Sequence, residues 1–366
     1  MPESSIVVRP EPMDSGTYTA ASRLQAAGLR PAITLFEQAA AVVPIPRSPR
    51  PIVIADYGAA TGHNSLLPIG AAIAVLRKRT RTEHSILVTH TDVPENDFTA
   101  LFRTLSDDPD TYLRKDEKSF TSAVGRSFYS QILPSDSVNL GWSSWAIQWL
   151  SKTPGPVLDH VQVAYSRDEA ARTAYARQAA RDWHEFVAFR GRELCPGGRL
   201  VVMTMAIGED GEFGYEPLLT AMMSTLAELV AKGLITDDER GGMSIPTFGR
   251  RARDFMAPFA PSGTFEKSSI AHLEVFDAED RFYDQYRVDK DATSFGARWA
   301  AFSRASVFPT LAAAMYDGGR PDRRGRRGRF LDELEAGIAS RLAADPQRTQ
   351  IPLAQLVIEK KQRAQP

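Results

Sequence analysis

The chain has a single cysteine, Cys195, in 366 residues. An internal disulfide is therefore impossible, and cysteine-rich metal sites are excluded. No run of about 18 apolar residues occurs, so no membrane-spanning helix is expected. Neither charge sign is in excess. The 44 basic and 45 acidic side chains leave a formal net charge of −1, which gives no global pull toward nucleic acid or an anionic membrane. The opening stretch MPESSIVVRPEP lacks a charged segment followed by a long apolar one. It does not read as a secretory leader, and a cytoplasmic location is expected. The six histidines, at 63, 84, 90, 160, 184 and 272, show no metal-ligand spacing, so no metal is expected. A G-x-S-x-G elbow, which would support a hydrolase, is missing, as is any repeat of solenoid length.

What is present is an apolar fraction of 43%, enough for a substantial core. Residues 1–13 read as a loose arm and 14–43 as helical, with apolar positions at helical spacing. PIPRSPRP then breaks the helix. A strand–helix alternation follows: PIVIADY, NSLLPIGAAIAVLRKR, SILVTHTD, ENDFTALFRTL and SVNLGW. SSWAIQWLS is expected to open a short helix at a serine cap. Residues 167–194 spell a long amphipathic helix, and CPGGRLVVMTMAIG a buried strand. FEKSSIAHLEVFD and IPLAQLVIEKK read as strands that finish the sheet. Helix-rich segments, roughly 214–260 and 291–345, interrupt the alternation. The pattern predicts an α/β fold with a mostly parallel sheet, helices on both faces and a helical cap. The basic run GRPDRRGRRGR, residues 319–329, is expected to be a solvated loop.

The loop PIVIADYGAATGHNSLL carries Gly58 and Gly62 four residues apart at a strand-to-helix junction. Ligands of doubly wound sheets sit beyond the carboxyl ends of strands. A Walker loop requires Gly-Lys-Ser/Thr, where this chain has Gly62-His63-Asn64, and a dinucleotide fingerprint requires a third glycine. Both phosphate readings fail, and an NAD-dependent oxidoreductase is disfavoured with them. Asp92, ending the second strand, suits a ribose diol. No lysine or arginine falls between Asp56 and Arg77. A ribose-bearing ligand without phosphate fits best, and S-adenosylmethionine is such a ligand. A plain tight turn is the competing account of the glycines.

Six stretches, in order, resemble the salicylate/benzoate/theobromine (SABATH) methyltransferase family. They look closest to its bacterial relatives that methylate fatty-acid carboxyl groups. MDSGTYTAASRLQ resembles the family's Met-x-Gly…Ser-Tyr-x-x-Asn-Ser-x-x-Gln, matching at Tyr18, Ser22 and Gln25, with Ala21 in place of Asn. IADYGAATGHNSL keeps Asp56, Gly58, Gly62 and Asn64 of the family's glycine loop, with His63 in place of Pro. TDVPENDFTALF matches at Asp92, Pro94, Asn96, Asp97 and Phe98. GRSFYSQILP, SSWAIQWLSKTP and ELCPGGRLVV resemble three further family motifs. The matches run from residue 13 to about 205; beyond that only HLEVFDAED is similar.

The resemblance implies a class I S-adenosylmethionine-dependent methyltransferase, Rossmann-like, with a seven-stranded mostly parallel sheet and an α-helical cap, often a homodimer. It implies an N-terminal helical arm over 1–45 that closes the active site. The cofactor-binding α/β domain would take 46–212, 262–290 and 346–366. The cap over 213–261 and 291–345 would form the acceptor pocket. Ser22, Asp56, Gly58, Asn64, Asp92, Val93, Ser127, Phe128 and Ser144 would bind S-adenosylmethionine and, after transfer, S-adenosylhomocysteine. Tyr18, Gln25, Trp145, Gln148 and Trp149 would line the acceptor site, with Gln25 and Trp149 holding its carboxylate. Their amide and indole groups are neutral donors, suited to a nucleophile that must be held without losing its charge. An acid with a pKa of about 4 to 5 is ionised at neutral pH and needs no general base.

The implied reaction is an in-line methyl transfer to a small-molecule carboxylic acid, a fatty acid or another apolar acid, giving its methyl ester. Two other readings stand beside it: a nitrogen or phenolic-oxygen acceptor, and a catalytically inactive cofactor-binding protein. At single positions the plainer accounts are core packing for Phe128, a core aromatic on a short helix for Trp149, and ordinary core for Met222, Met223, Met243 and Met256. His90 reads as a buried strand histidine.

Overall fold

In the computed structural model, which describes residues 6–7, 29–316 and 323–362, the apolar runs pair into one seven-stranded sheet. Its strands are β1 (Ile52–Tyr57), β2 (Ile86–Asp92), β3 (Ser119–Gly125), β4 (Val138–Ser144), β5 (Leu194–Met205), β6 (Ser268–Asp277) and β7 (Pro352–Lys360). They lie in the order β3-β2-β1-β4-β5-β7-β6. Only β7 is reversed, antiparallel to both β5 and β6. This is the class I methyltransferase arrangement. Strand order changes direction between β1 and β4, which places the ligand crevice beyond their carboxyl ends.

Side chains on a strand alternate between faces, and the two faces have separate cores. On one, Ile52, Ile54, Val88, Trp142 and Met203 pack beneath α1 (Arg30–Ala40), α2 (His63–Arg77) and α3 (Phe98–Asp107). On the other, Ala55, Tyr57, Leu200 and Val202 meet Trp183, Phe186 and Val187 of α4 (Glu169–Glu193). Phe255 and Phe259 complete that second core. Aspartates start α3 and α4. The Asp97 carboxylate accepts the Ala100 N–H at the head of α3, and Asp168 accepts those of Ala170 and Ala171 at the head of α4. Each such cap is worth about 1 kcal/mol.

A third core is mostly helical. It joins α5 (Glu216–Ala231), α6 (Ala292–Ser306), α7 (Phe308–Ala313) and α8 (Arg323–Ala344). Phe330, Leu334, Ile338 and Leu342 of α8 recur every four residues and are all buried, the stripe an amphipathic helix turns inward. Trp149 and Met205 pack against this core. It therefore sits at the carboxyl ends of β4 and β5.

Two expectations are corrected. SSWAIQWLS is not a short helix: β4 runs on to Ser144, and residues 147–148 form a turn. Its backbone groups go to a distant partner instead. Leu150 N–H donates to Pro246 O (2.9 Å) and Phe248 N–H to Gln148 O (2.8 Å), which leaves no i→i−4 ladder. The basic run is not a free loop from residue 323 onward, where it becomes the first turns of α8. Arg326 there forms an ion pair with the buried Glu239, and this pairing pulls the Glu239 carboxyl down to about 2. The helix expected over 14–43 is Arg30–Ala40 among the described residues. Tyr18, Ser22 and Gln25 lie outside them.

Candidate active site

The loops after β1, β2 and β4 converge on one another. In the parallel register Asp56 stands beside His90, so their side chains share a face. His90 Nδ1 lies 2.7 Å from Asp56 Oδ2, and Nε2 lies 2.9 Å from the Tyr112 hydroxyl. A carboxylate only accepts, so Nδ1 donates to Asp56. Burial raises the Tyr112 pKa, which keeps that hydroxyl a donor. Asp56 is thereby aimed by a buried His–Tyr pair. His90 is a buried strand histidine, as expected, but its link to Asp56 becomes visible only once the two strands are in register.

Asp92 organises the glycine loop. Ala60 N–H donates to its Oδ2 (2.7 Å) and Val93 N–H to its Oδ1 (2.8 Å). Asn96 Nδ2 donates to Ala60 O (2.9 Å), which ties the two loops together. A carboxylate offers roughly four lone-pair sites. Two are used by the backbone, and two remain for a pair of hydroxyls. Burial raises the Asp92 pKa to about 6, opposed by the two backbone N–H groups and assisted by the Asp56 charge. Were Asp92 to hold a ribose diol, as the resemblance implies, the diol would donate to the ionised form, and affinity would be expected to fall as pH drops through about 6. The expected decline approaches about tenfold per pH unit below that point. Calorimetric titration of the demethylated cofactor across this range checks it; a flat profile removes the diol contact.

Gly58 and Gly62 both have left-handed backbones, φ +88° and +85°, and both are crowded. A Cβ at Gly58 would come within 2.3 Å of Ala146 Cβ and 3.6 Å of the Phe128 ring; one at Gly62 would meet Leu101 at 2.7 Å. The glycine loop therefore touches the turn that carries Trp145 to Trp149. Gly58→Ala combines this overlap with a strained φ, and we expect a loss of about 2–4 kcal/mol in unfolding free energy. Urea denaturation measures it, and a loss under about 0.5 kcal/mol, typical of a neutral surface change, contradicts the packing.

Phe128 is buried, edge-on to Tyr129 and Phe186, and beside Gly58. Its carbonyl accepts from Arg190 Nη1 (2.7 Å), so the last turn of α4 pins the loop bearing Ser127 and Phe128. Asn64 is the second residue of α2, and Ser144 ends β4 beside Met203; both are buried.

The remaining candidates line a cavity of about 120 Å³ between the sheet ends and the helical core. Trp145, Gln148 and Trp149 form one wall, and Leu218, Leu219, Met222 and Ile245 face it from the helical side. A second cavity, about 80 Å³, shares Trp145, Tyr215 and Phe302 with the first. Trp145 and Tyr215 are both held at positive φ, +54° and +62°. For residues of this bulk such a backbone costs about 1–3 kcal/mol. Trp145 is clamped: its N–H donates to Met203 O (3.0 Å), and Gln148 Nε2 donates to its carbonyl (2.7 Å). Gln148 Oε1 in turn accepts from Thr204 Oγ1 (3.1 Å). Gln148 is therefore not a helical turn beyond Ser144. It lines the cavity while its amide holds Trp145 in place. Tyr215, Phe302, Gln162 and Thr247 also face this space, and local patterning singled out none of them.

Comparison with known proteins supplies a family. The model of the S-adenosylmethionine-dependent carboxyl methyltransferases matches residues 11–318. Gibberellic acid methyltransferase 2 of Arabidopsis thaliana is 26% identical over 287 residues, covering 72% of this chain and 73% of the relative. Salicylate carboxymethyltransferase of Clarkia breweri is 27% identical over 235 residues, covering 62% and 64%. Among solved structures, loganic acid methyltransferase with SAH superposes with a TM-score of 0.72 over 96% of this chain and 99% of that one, at 22% identity.

Proposed function

The chain belongs to the S-adenosylmethionine-dependent carboxyl methyltransferase family, and on that premise we propose that it esterifies a small apolar carboxylic acid. The observation that carries this reading is the character of the cavity wall. Among the described residues it holds no charged side chain and no histidine. A phenol, with a pKa of about 10, needs a base to become nucleophilic at neutral pH, whereas a carboxylic acid does not. A wall without a base suits an acceptor that arrives already ionised.

The loops fit the family's cofactor. Asp92 retains two lone-pair sites for a diol, and no cation lies between Asp56 and Arg77 to favour a phosphate. When bound, S-adenosylmethionine supplies a methyl group on a sulfonium, which a carboxylate oxygen can accept without acid assistance at sulfur. In the proposal, Asp92 takes the ribose and Asp56, aimed by His90, takes the ammonium. Gly58, Asn64, Val93, Ser127, Phe128 and Ser144 enclose the rest. Ser22 joins the cofactor's contacts, Trp149 and Gln25 donate to the acceptor carboxylate, Tyr18 and Gln148 line the acceptor site, and Trp145 packs on the apolar body. Positioning of this kind can supply about 7–11 kcal/mol of barrier reduction.

Leu218, Leu219, Met222, Ile245 and Val307 give the cavity an aliphatic lining. It suits an alkyl chain or an apolar ring, and a fatty acid is the finer form of the proposal. A homodimer, which the resemblance implies, is carried with it and is checked by light scattering. The deciding experiment incubates the protein with methyl-labelled cofactor and a panel of fatty and cyclic acids, phenols and amines, and locates the label by mass spectrometry. Label in methyl esters supports the reading; label only on phenolic oxygen or nitrogen overturns it.

A further inference from the structure

The loop that carries Ser127 and Phe128 is tied to the last turn of α4 on both sides of Tyr129. Arg190 Nη1 donates to Phe128 O (2.7 Å) and Arg190 Nη2 to Ser130 O (2.9 Å). Glu193 Oε1 accepts the N–H groups of Ile132 (2.6 Å) and Leu133 (3.0 Å). Its Oε2 accepts from the Tyr57 hydroxyl at the end of β1 (2.8 Å). Arg190 and Glu193 are themselves an ion pair (2.8 Å), and both are wholly buried. Bonds to ionised groups are about twice as strong as neutral ones. The backbone over 128–133 is therefore anchored, and the Tyr129 side chain leaves it from a fixed point.

That side chain reaches the wall of the acceptor cavity. The Tyr129 ring stands edge-on to Phe128, centroids 4.7 Å apart, and its hydroxyl donates to Trp149 O (2.6 Å). Burial around the hydroxyl raises its pKa far above the ordinary value, so it stays protonated and remains a donor. Two neighbouring bonds hold the same segment. Arg250, wholly buried, donates from Nη1 to Ile147 O (2.7 Å) and from Nη2 to Ala179 O of α4 (3.0 Å). Asp182 of α4 accepts from Ser151 N–H (2.9 Å) and Ser151 Oγ (2.6 Å). Residues 147, 149 and 151 are thus gripped at alternate positions by three side chains. Of the three, Tyr129 alone comes from the loop of Ser127 and Phe128.

We propose that Tyr129 is a positioning residue for methyl transfer. Its hydroxyl, with Arg250 holding the neighbouring carbonyl, sets Trp149 at a fixed distance from the cofactor loop and so aligns the acceptor with the methyl donor. This rests on the reading in which Ser127 and Phe128 hold the cofactor and Trp149 holds the acceptor carboxylate. In-line transfer is sensitive to alignment: a displacement of about 1 Å can cost about 100-fold. The Tyr129 bond to Trp149 therefore acts on turnover more than on the binding of the cofactor.

The test is a double-mutant cycle on Tyr129→Phe and Trp149→Phe, using the best acid from the labelling panel. Phenylalanine at 129 keeps the ring and loses only the hydroxyl. In Tyr129→Phe, kcat per cofactor-binding site should fall about 10- to 100-fold. The dissociation constant for S-adenosylhomocysteine should stay within about twofold. In the Trp149→Phe background the same change should cost less than about threefold, because the tyrosine acts through a residue whose grip is already gone. A merely structural tyrosine gives losses that multiply in the double variant, or fewer active sites at unchanged kcat per site. Either result overturns the proposal, as does an unaltered kcat in Tyr129→Phe. If Tyr129→Phe does not fold, Arg250→Lys, which keeps the buried cation and loses the fork, is carried through the same cycle and decides by the same outcomes. If Trp149→Phe lowers transfer and Tyr129→Phe does not, this proposal alone fails. If no acid is methylated, or Trp149→Phe has no effect, the reading beneath it fails as well.

Discussion

Replacing Trp149 by phenylalanine is expected to lower kcat/KM for methyl transfer about 10- to 150-fold, the value of one hydrogen bond to a charged group, about 1.5–3 kcal/mol. Trp149 is positioned by its backbone. Tyr129 Oη donates to its carbonyl (2.6 Å), its N–H donates to Ala146 O (3.1 Å), and it bridges Thr247. Phenylalanine inherits these restraints and fills similar space while losing the indole N–H. The cofactor loops do not depend on that N–H, so the dissociation constant for S-adenosylhomocysteine should stay within about twofold, inside the scatter of a surface change. Steady-state kinetics and calorimetry on one preparation separate the two effects. Cofactor binding lost in parallel with turnover would mean that the ring is structural. Gln25→Ala should behave the same way.

Asp92→Ala should weaken cofactor binding by about 10²- to 10⁴-fold. In the proposed complex two charge-assisted bonds to a ribose diol would disappear, at about 1.5–3 kcal/mol each. The Ala60 and Val93 N–H groups also lose their acceptor, so the glycine loop loosens. Asp92→Asn divides these causes: it keeps one acceptor oxygen for the loop but presents an NH₂ group to the rest. Unchanged calorimetric affinity in Asp92→Ala would show that the ribose lies elsewhere. An affinity lost in alanine and restored in asparagine would show that Asp92 serves the loop and not the diol.

The sheet was legible because buried strands write themselves as apolar runs. PIVIADY, SILVTHTD and IPLAQLVIEKK became β1, β2 and β7. Asp92 and Gly58 were legible for the same reason: strand ends and left-handed turns leave local marks. What escaped was long-range. SSWAIQWLS has helical spacing, but residues 246 and 248 claim its backbone groups about a hundred positions later. Asp56 and His90 look unrelated until register sets them side by side, and Thr247 comes to stand next to Trp149 only through a long-range bridge. The arginine run looked solvated because charge usually is; Arg326 instead reaches Glu239, buried under the helical layer.

Ala146 rests on Gly58 with no room for a methyl group between them. The turn that presents Trp149 and the loop that opens α2 are consequently one mechanical part. In the proposed reaction, any factor by which the nucleoside tightened the grip on the acid would be returned by the acid to the grip on the nucleoside.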